Sequence, residues 1–186
     1  YVKQGKDQEA ERLFKEYIKL DLKGLHPRLE LGKLYVKQGK DQEAERLFKE
    51  YIKLDLKGLH PRLELGKLYV KQGKDQEAEK MFKEYIELDK SNMYARLELG
   101  KLYSKQGKDQ EAERLFKEYI KLDLKGLHPR LELGKLYVKQ GKDQEAERMF
   151  KECIELDKSN MHARLELGKM YSKQGKDQEA EKMFKE

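Results

Sequence analysis

The chain is expected to fold as an all-α solenoid of stacked antiparallel helix-turn-helix units, and three observations lead there. The string KQGKDQEAE occurs six times, beginning at Lys3, Lys37, Lys71, Lys105, Lys139 and Lys173, always 34 residues apart. Between the copies, apolar residues recur at helical spacing rather than in strand-like alternation. Finally, 42% of the 186 residues are charged and only 37% are hydrophobic. A single round core of this length would need more apolar side chains, whereas a row of small units needs fewer because each buries its face on its neighbours. High charge also marks disordered chains, but those lack such periodicity.

The stretch from Met93 to Gly126 justifies each element. Its first half, MYARLELGKLYSKQ, sets Leu99, Gly100, Leu102 and Tyr103 on one helical face. Gly107 is suited to the left-handed conformation that stops this helix. Asp109 is expected to cap the next helix through its carboxylate, with Glu111 near the positive end. In QEAERLFKEYIKL, residues Ala112, Leu115, Phe116, Tyr119 and Ile120 form an amphipathic stripe. Gly100 and Ala112 leave room for two helix backbones to approach, and Phe116 fills the remaining gap. A link of LKG or KSN leads on. Gly24, Gly58 and Gly126 are expected to stop the second helix, and Pro27, Pro61 and Pro129 to sit in the first turn of the helix that follows.

Counted from the repeated tyrosine, the single array divides into units 1–34, 35–68, 69–102, 103–136 and 137–170 with a partial unit 171–186. The corresponding hairpins run 25–58, 59–92, 93–126, 127–160 and 161–186. Both ends fall inside a repeat, which reads as an excerpt from a longer array.

These units resemble the tetratricopeptide repeat family, whose 34-residue signature is W-x2-L-G-x2-Y, then A-x3-F, then P. Leu99-Gly100-x2-Tyr103, Ala112-x3-Phe116 and the period all match, in every complete unit. The resemblance implies a right-handed superhelix of helical hairpins whose concave surface, lined by the first helix of each pair, holds peptides or partner proteins. There are departures. Arginine (Arg28, Arg62, Arg96, Arg130, Arg164) stands at the family's Trp site, and Leu124, Lys90 or Lys158 at its Pro site. A commonly small position in the second helix holds Tyr17, Tyr51, Tyr85, Tyr119 or Cys153. This tyrosine is expected to recover the lost Trp volume, with the arginine stem and guanidinium on its ring.

Two flavours of unit occur. Those starting at Tyr1, Tyr35 and Tyr103 carry LKGLHP, with 8 basic and 6 acidic residues each; those starting at Tyr69 and Tyr137 carry KSNMYA or KSNMHA, with 7 of each sign. Differences travel in blocks, and with the lone cysteine this points to tandem duplication of a natural gene rather than a uniform idealised array. The net charge of +6 is small beside 42 basic and 36 acidic residues, and the signs interleave. No apolar run can span a membrane, so no membrane partner is expected. One cysteine makes no internal disulfide, which makes an intracellular setting the default.

No catalytic constellation emerges. His26, His60, His128 and His162 fall on different units, too far apart for ligand atoms that must lie about 2 Å from one zinc ion. Cys153 lies in an apolar stripe and reads as a buried thiol. The same Asp and Glu recur from unit to unit, as helix-terminal groups and as i,i+4 partners such as Glu113 with Lys117. Neither an enzyme nor a cofactor is expected.

The resemblance puts the binding groove on His26, Leu29, Glu30, Lys33 and Lys37. Its copies are His60, Leu63, Lys67 and Lys71; Tyr94, Leu97, Glu98, Lys101 and Lys105; His128, Leu131, Lys135 and Lys139; and His162, Leu165 and Lys169. Leucines of this series would supply apolar contact, and the lysines would steer an acidic segment unless carboxylates such as Glu98 balance them. The family's carboxylate clamp typically uses Asn where Lys33, Lys67, Lys101, Lys135 and Lys169 stand, so that specialised activity is not expected. The leading expectation is a non-enzymatic scaffold binding an extended or helical peptide. Its alternative is a structural or engineered array that stacks end to end. RNA is disfavoured because the groove face is nearly constant, whereas base reading needs varied polar residues.

Overall fold

A computed structural model describes residues 4–185. Among the described residues the secondary structure is entirely helical. In chain order the helices are α1 (Gln4–Leu20), α2 (Leu25–Gln38), α3 (Asp41–Leu54), α4 (Leu59–Gln72), α5 (Asp75–Leu88), α6 (Met93–Lys105), α7 (Asp109–Leu122), α8 (Leu127–Lys139), α9 (Asp143–Leu156), α10 (Met161–Lys173) and α11 (Asp177–Lys185). The chain forms two compact units, Tyr1–Ala95 and Arg96–Glu186. In the first, α2 packs on α3 and α4 on α5 as hairpins, with α1 against α2 and α3 against α4. In the second, α8–α9 and α10–α11 repeat the pattern, with α7 against α8 and α9 against α10. Each unit is therefore a helical-repeat stack.

The repeated glycine and alanine explain how closely the hairpins pack. A Cβ added to Gly32 would lie 2.5 Å from Phe48 Cε1, and one on Gly100 would lie 2.6 Å from Phe116 Cε1. Ala44, Ala78, Ala112 and Ala146 are completely buried, as are Phe48, Phe82 and Phe150. The first helix of each hairpin is stopped at Gly39, Gly73, Gly107, Gly141 or Gly175, all with φ between +70° and +76°, where an L side chain is strained.

Three local expectations are corrected. The residue before each second helix is Lys40, Lys74, Lys108 or Lys142, with no side-chain cap bond. Asp41, Asp75, Asp109 and Asp143 instead open the helix, facing its positive end. Gly24, Gly58 and Gly126 do not end the second helix. They precede the next one with φ between −57° and −61°, which is not left-handed. In the sister repeats an asparagine takes this place and does cap: Asn160 Oδ1 accepts from the Ala163 amide at 2.9 Å. Finally, the copy of KQGKDQEAE at Lys3 makes no turn, because α1 runs unbroken through Gly5. The other copies follow a full helix that glycine must stop, and no described helix precedes this one.

Arg28, Arg62, Arg96 and Arg130 are buried, at 6–8% exposure. The guanidinium anchors the loop before its own helix: Arg62 donates to Gly58 O at 2.6 Å and Leu56 O at 2.8 Å, and pairs with Glu84 at 3.1 Å. Arg130 repeats this with Gly126 O, Leu124 O and Glu152. Carbonyls and a carboxylate thus hold the cation that the sequence had paired with a tyrosine ring. Cation–ring contacts among the described residues include those of lysines, such as Lys40 5.1 Å above Tyr35 and Lys108 4.9 Å above Tyr103.

Candidate functional site

In the first unit the opening turns of α2 and α4, with α3, enclose a cleft of about 450 Å³ lined by Leu25, His26, Leu29, Glu30, Lys33, Tyr51 and His60. The helical repeat produces it. His26 and Leu29 are three residues apart, as are Glu30 and Lys33, so all four share one face of α2. His60 is the equivalent of His26 on the next hairpin. His26, His60 and Lys33 are exposed, while Leu29 is buried and forms the floor. Tyr51 is half-buried, and burial, with the Asp55 charge, raises its phenol pKa, so it stays a neutral donor.

Five of the residues predicted for the groove therefore meet here: His26, Leu29, Glu30, Lys33 and His60. Leu25 and Tyr51 were missed as lining residues. Tyr51 carried a signal, because a bulky ring stands where the family resemblance has a small residue. The leucine series is uneven: Leu29 and Leu97 are buried, Leu63 and Leu131 half-buried, and only Leu165 is exposed. Most of these leucines hold helices together and offer only an edge to a ligand.

The lysines are not a bare cationic ladder. Lys33, Lys67, Lys101, Lys135 and Lys169 each pair with the carboxylate three residues earlier, at 2.9–3.6 Å. Lys37 reaches Asp7 at 3.6 Å, and Lys71 reaches Asp41 and Lys139 reaches Asp109, both at 2.9 Å. These last pairs join successive hairpins, so Lys37, Lys71 and Lys139 serve the stack. Lys105 is also engaged. Tyr94, His128 and His162 are exposed near the starts of α6, α8 and α10.

In the second unit a larger cleft of about 580 Å³ is lined by Ser159, Met161, His162, Arg164, Leu165, Met183, Phe184 and Lys185. Phe184 is 54% exposed, whereas its counterparts Phe48, Phe82, Phe116 and Phe150 are at most 1% exposed. This cleft is thus an uncovered packing face, of the kind that a further helix covers elsewhere in the stack. Cys153 is fully buried, and desolvation pushes its thiol up to about 11. A protonated, inaccessible thiol is no nucleophile. No three His, Cys, Asp or Glu side chains converge on a common point among the described residues.

A feature the sequence reading missed links the hairpins. Tyr35, Tyr69, Tyr137 and Tyr171 donate their hydroxyls to Glu11, Glu45, Glu113 and Glu147, each 24 residues earlier, at 2.8–3.2 Å. The same carboxylates accept from Lys15, Lys49, Lys117 and Lys151 at 2.6 Å. Chiefly through its bond to Lys15, Glu11 is lowered to about 2.

The comparisons with known proteins agree with this architecture. Tetratricopeptide repeat models match residues 29–59, 63–124, 128–160 and 161–186. No curated protein sequence matches. Among solved structures, MamA is 25% identical with a TM-score of 0.73, over 83% of this chain and 91% of its own. A tetratricopeptide repeat protein from Parabacteroides merdae has a TM-score of 0.83 at 20% identity, over 98% of this chain and 72% of its own. YrrB, a repeat protein with an unusual peptide-binding site, has a TM-score of 0.69 at 19% identity, over 91% of this chain and 88% of its own. Below 25% identity such likeness concerns the fold alone. Helix order, glycine–phenylalanine packing and repeat matches together make this chain a member of the tetratricopeptide repeat family, whose members are generally non-catalytic interaction scaffolds.

Proposed function

We propose that the chain is a protein-interaction scaffold that holds a peptide segment of another protein in the cleft between α2, α3 and α4. The observation carrying this reading is the composition of that cleft. Leu25 and Leu29 supply an apolar floor, Tyr51 an aromatic wall with a neutral hydroxyl, and His26, Glu30, Lys33 and His60 a polar rim. Such a mixture suits a segment with one or two apolar side chains and exposed backbone polar groups. Because Lys33 and Glu30 neutralise each other at 2.9 Å, charge steers the ligand weakly and an acidic segment gains only a modest advantage.

The test is a peptide-library screen against the full chain, followed by fluorescence anisotropy on the best binder. His26→Glu with His60→Glu should weaken binding about ten-fold or more, the scale of losing one well-placed contact. Lys80→Glu, away from the cleft, should leave it unchanged. Equal affinity in all three proteins would overturn the assignment. Self-association is the second reading, favoured by the exposed Phe184, Met161 and Leu165 of the α10–α11 cleft. Light scattering over a concentration series separates the two, since stacking makes apparent mass grow.

A further inference from the structure

The two flavours of repeat differ on one edge of the stack, the turn that leads from each second helix to the next hairpin. Three copies read IKLDLKG and two read IELDKSN. Counting Asp and Glu against Lys, the first carries +1 and the second −1. The exchange of Lys19, Lys53 and Lys121 for Glu87 and Glu155 accounts for the whole difference in net charge between the flavours. Hydropathy changes at the same place. Leu22, Leu56 and Leu124 stand at the turn tips, 72–73% exposed, where the sister repeats have Lys90 and Lys158.

Elsewhere in the chain most lysines are ion-paired, but here they are not. Lys19, Lys23, Lys53 and Lys57 have no ion pair among the described residues. The aspartates between them brace the turn instead of pairing with a lysine ammonium: Asp21 Oδ1 accepts from the Lys23 amide and Asp55 Oδ1 from the Lys57 amide, both at 3.0 Å. The neighbouring Glu50 pairs with the buried Arg28 and with Arg46. In the first unit two such turns occur on successive hairpins, so Leu20, Leu22, Leu54 and Leu56 project beside four lysines without an ion pair, with a net +1 at each turn. In the second unit Leu122, Leu124, Lys121 and Lys125 repeat the arrangement once.

From this we infer that the IKLDLKG edge is a docking surface for an anionic lipid surface, independent of the peptide cleft. Separate apolar knobs on turn tips suit a deformable phase into which single side chains insert. The flanking lysines are long enough to keep their ammonium groups at the headgroups while their stems follow the leucines inward. Peripheral contact of this kind needs no membrane-spanning segment.

The sister repeats supply substitutions that the turn already tolerates. In co-sedimentation, the full chain should bind vesicles of phosphatidylcholine mixed with phosphatidylserine, and bind phosphatidylcholine alone at least about ten-fold less. Leu22→Lys with Leu56→Lys adds positive charge but removes the knobs. A purely electrostatic contact would tighten, whereas insertion predicts binding about ten-fold weaker or worse. Lys19→Glu with Lys53→Glu should also lose binding, and circular dichroism should show parental helix content in both variants. Equal binding to neutral and anionic vesicles, or unchanged or tighter binding by the double-lysine variant, overturns the inference. A result in which acidic peptides compete at this edge while vesicles are not bound would overturn it too, in favour of a protein partner.

Discussion

Tyr69 donates its hydroxyl to Glu45 across 3.1 Å, bonding one hairpin to the next 24 residues on. The tyrosine is buried and its carboxylate partner also holds Lys49 and Lys74. In a repeat stack such inter-hairpin bonds set how strongly neighbours cooperate. Tyr69→Phe should cost about 1.5–3 kcal/mol, the range for a hydrogen bond to a charged group. Denaturant unfolding measures this, and a double-mutant cycle with Glu45→Gln should show coupling of similar size.

The same carboxylates make stability depend on acid. Glu11 lies well below its ordinary range, at about 2, chiefly through its bond to Lys15. Glu45 and Glu147 are also lowered. For Glu45 desolvation by itself would raise the value, and the bonds from Lys49, Tyr69 and Lys74 override it. A folded-state pKa below the unfolded one contributes stability that is full above the unfolded value, near 4.3, and lost as pH falls towards the folded value. Melting temperature should therefore be flat from neutral pH down to about 5 and decline towards about 2. In Glu11→Gln the acid-side slope should be shallower; an identical slope would remove Glu11 from the account.

Gly100 and Phe116 test the close approach of helix pairs. A Cβ on Gly100 would sit 2.6 Å from the phenyl ring, so Gly100→Ala should cost about 1–3 kcal/mol through overpacking despite alanine's better helix propensity. Combining it with Phe116→Leu should recover part of that loss, giving a non-additive cycle. Strict additivity would show that the two do not share one space.

Arg62 is the fourth test. Its guanidinium satisfies Gly58 O and Leu56 O and meets Glu84. Lysine cannot reproduce that fork, so Arg62→Lys should destabilise by about 1.5–3 kcal/mol in chemical unfolding. A loss below about 0.5 kcal/mol, the range of ordinary surface substitutions, would mean water replaces the bonds.

The local sequence by itself determined where most helices form and where Gly39, Gly73, Gly107, Gly141 and Gly175 stop them, although the same string at Lys3 stays helical. A glycine that must adopt positive φ, a 3.6-residue apolar stripe and a 34-residue period are local properties, and Gly39, Phe48 and Ala44 express them without reference to distant residues. The family resemblance, and not the local pattern, put His26, Leu29, Glu30, Lys33 and His60 on the first-helix side, and these five line one cleft. Only the tertiary structure decided which of these charges are free. Lys71 and Asp41 are 30 residues apart and Tyr69 and Glu45 are 24 apart, separations at which no helical periodicity brings side chains together. Stacking does so, and it turns part of the lysine ladder into mortar between hairpins. The arginine follows the same logic: its sequence position resembled a ring-packing site, but burial beside unsatisfied loop carbonyls made hydrogen bonding the stronger demand.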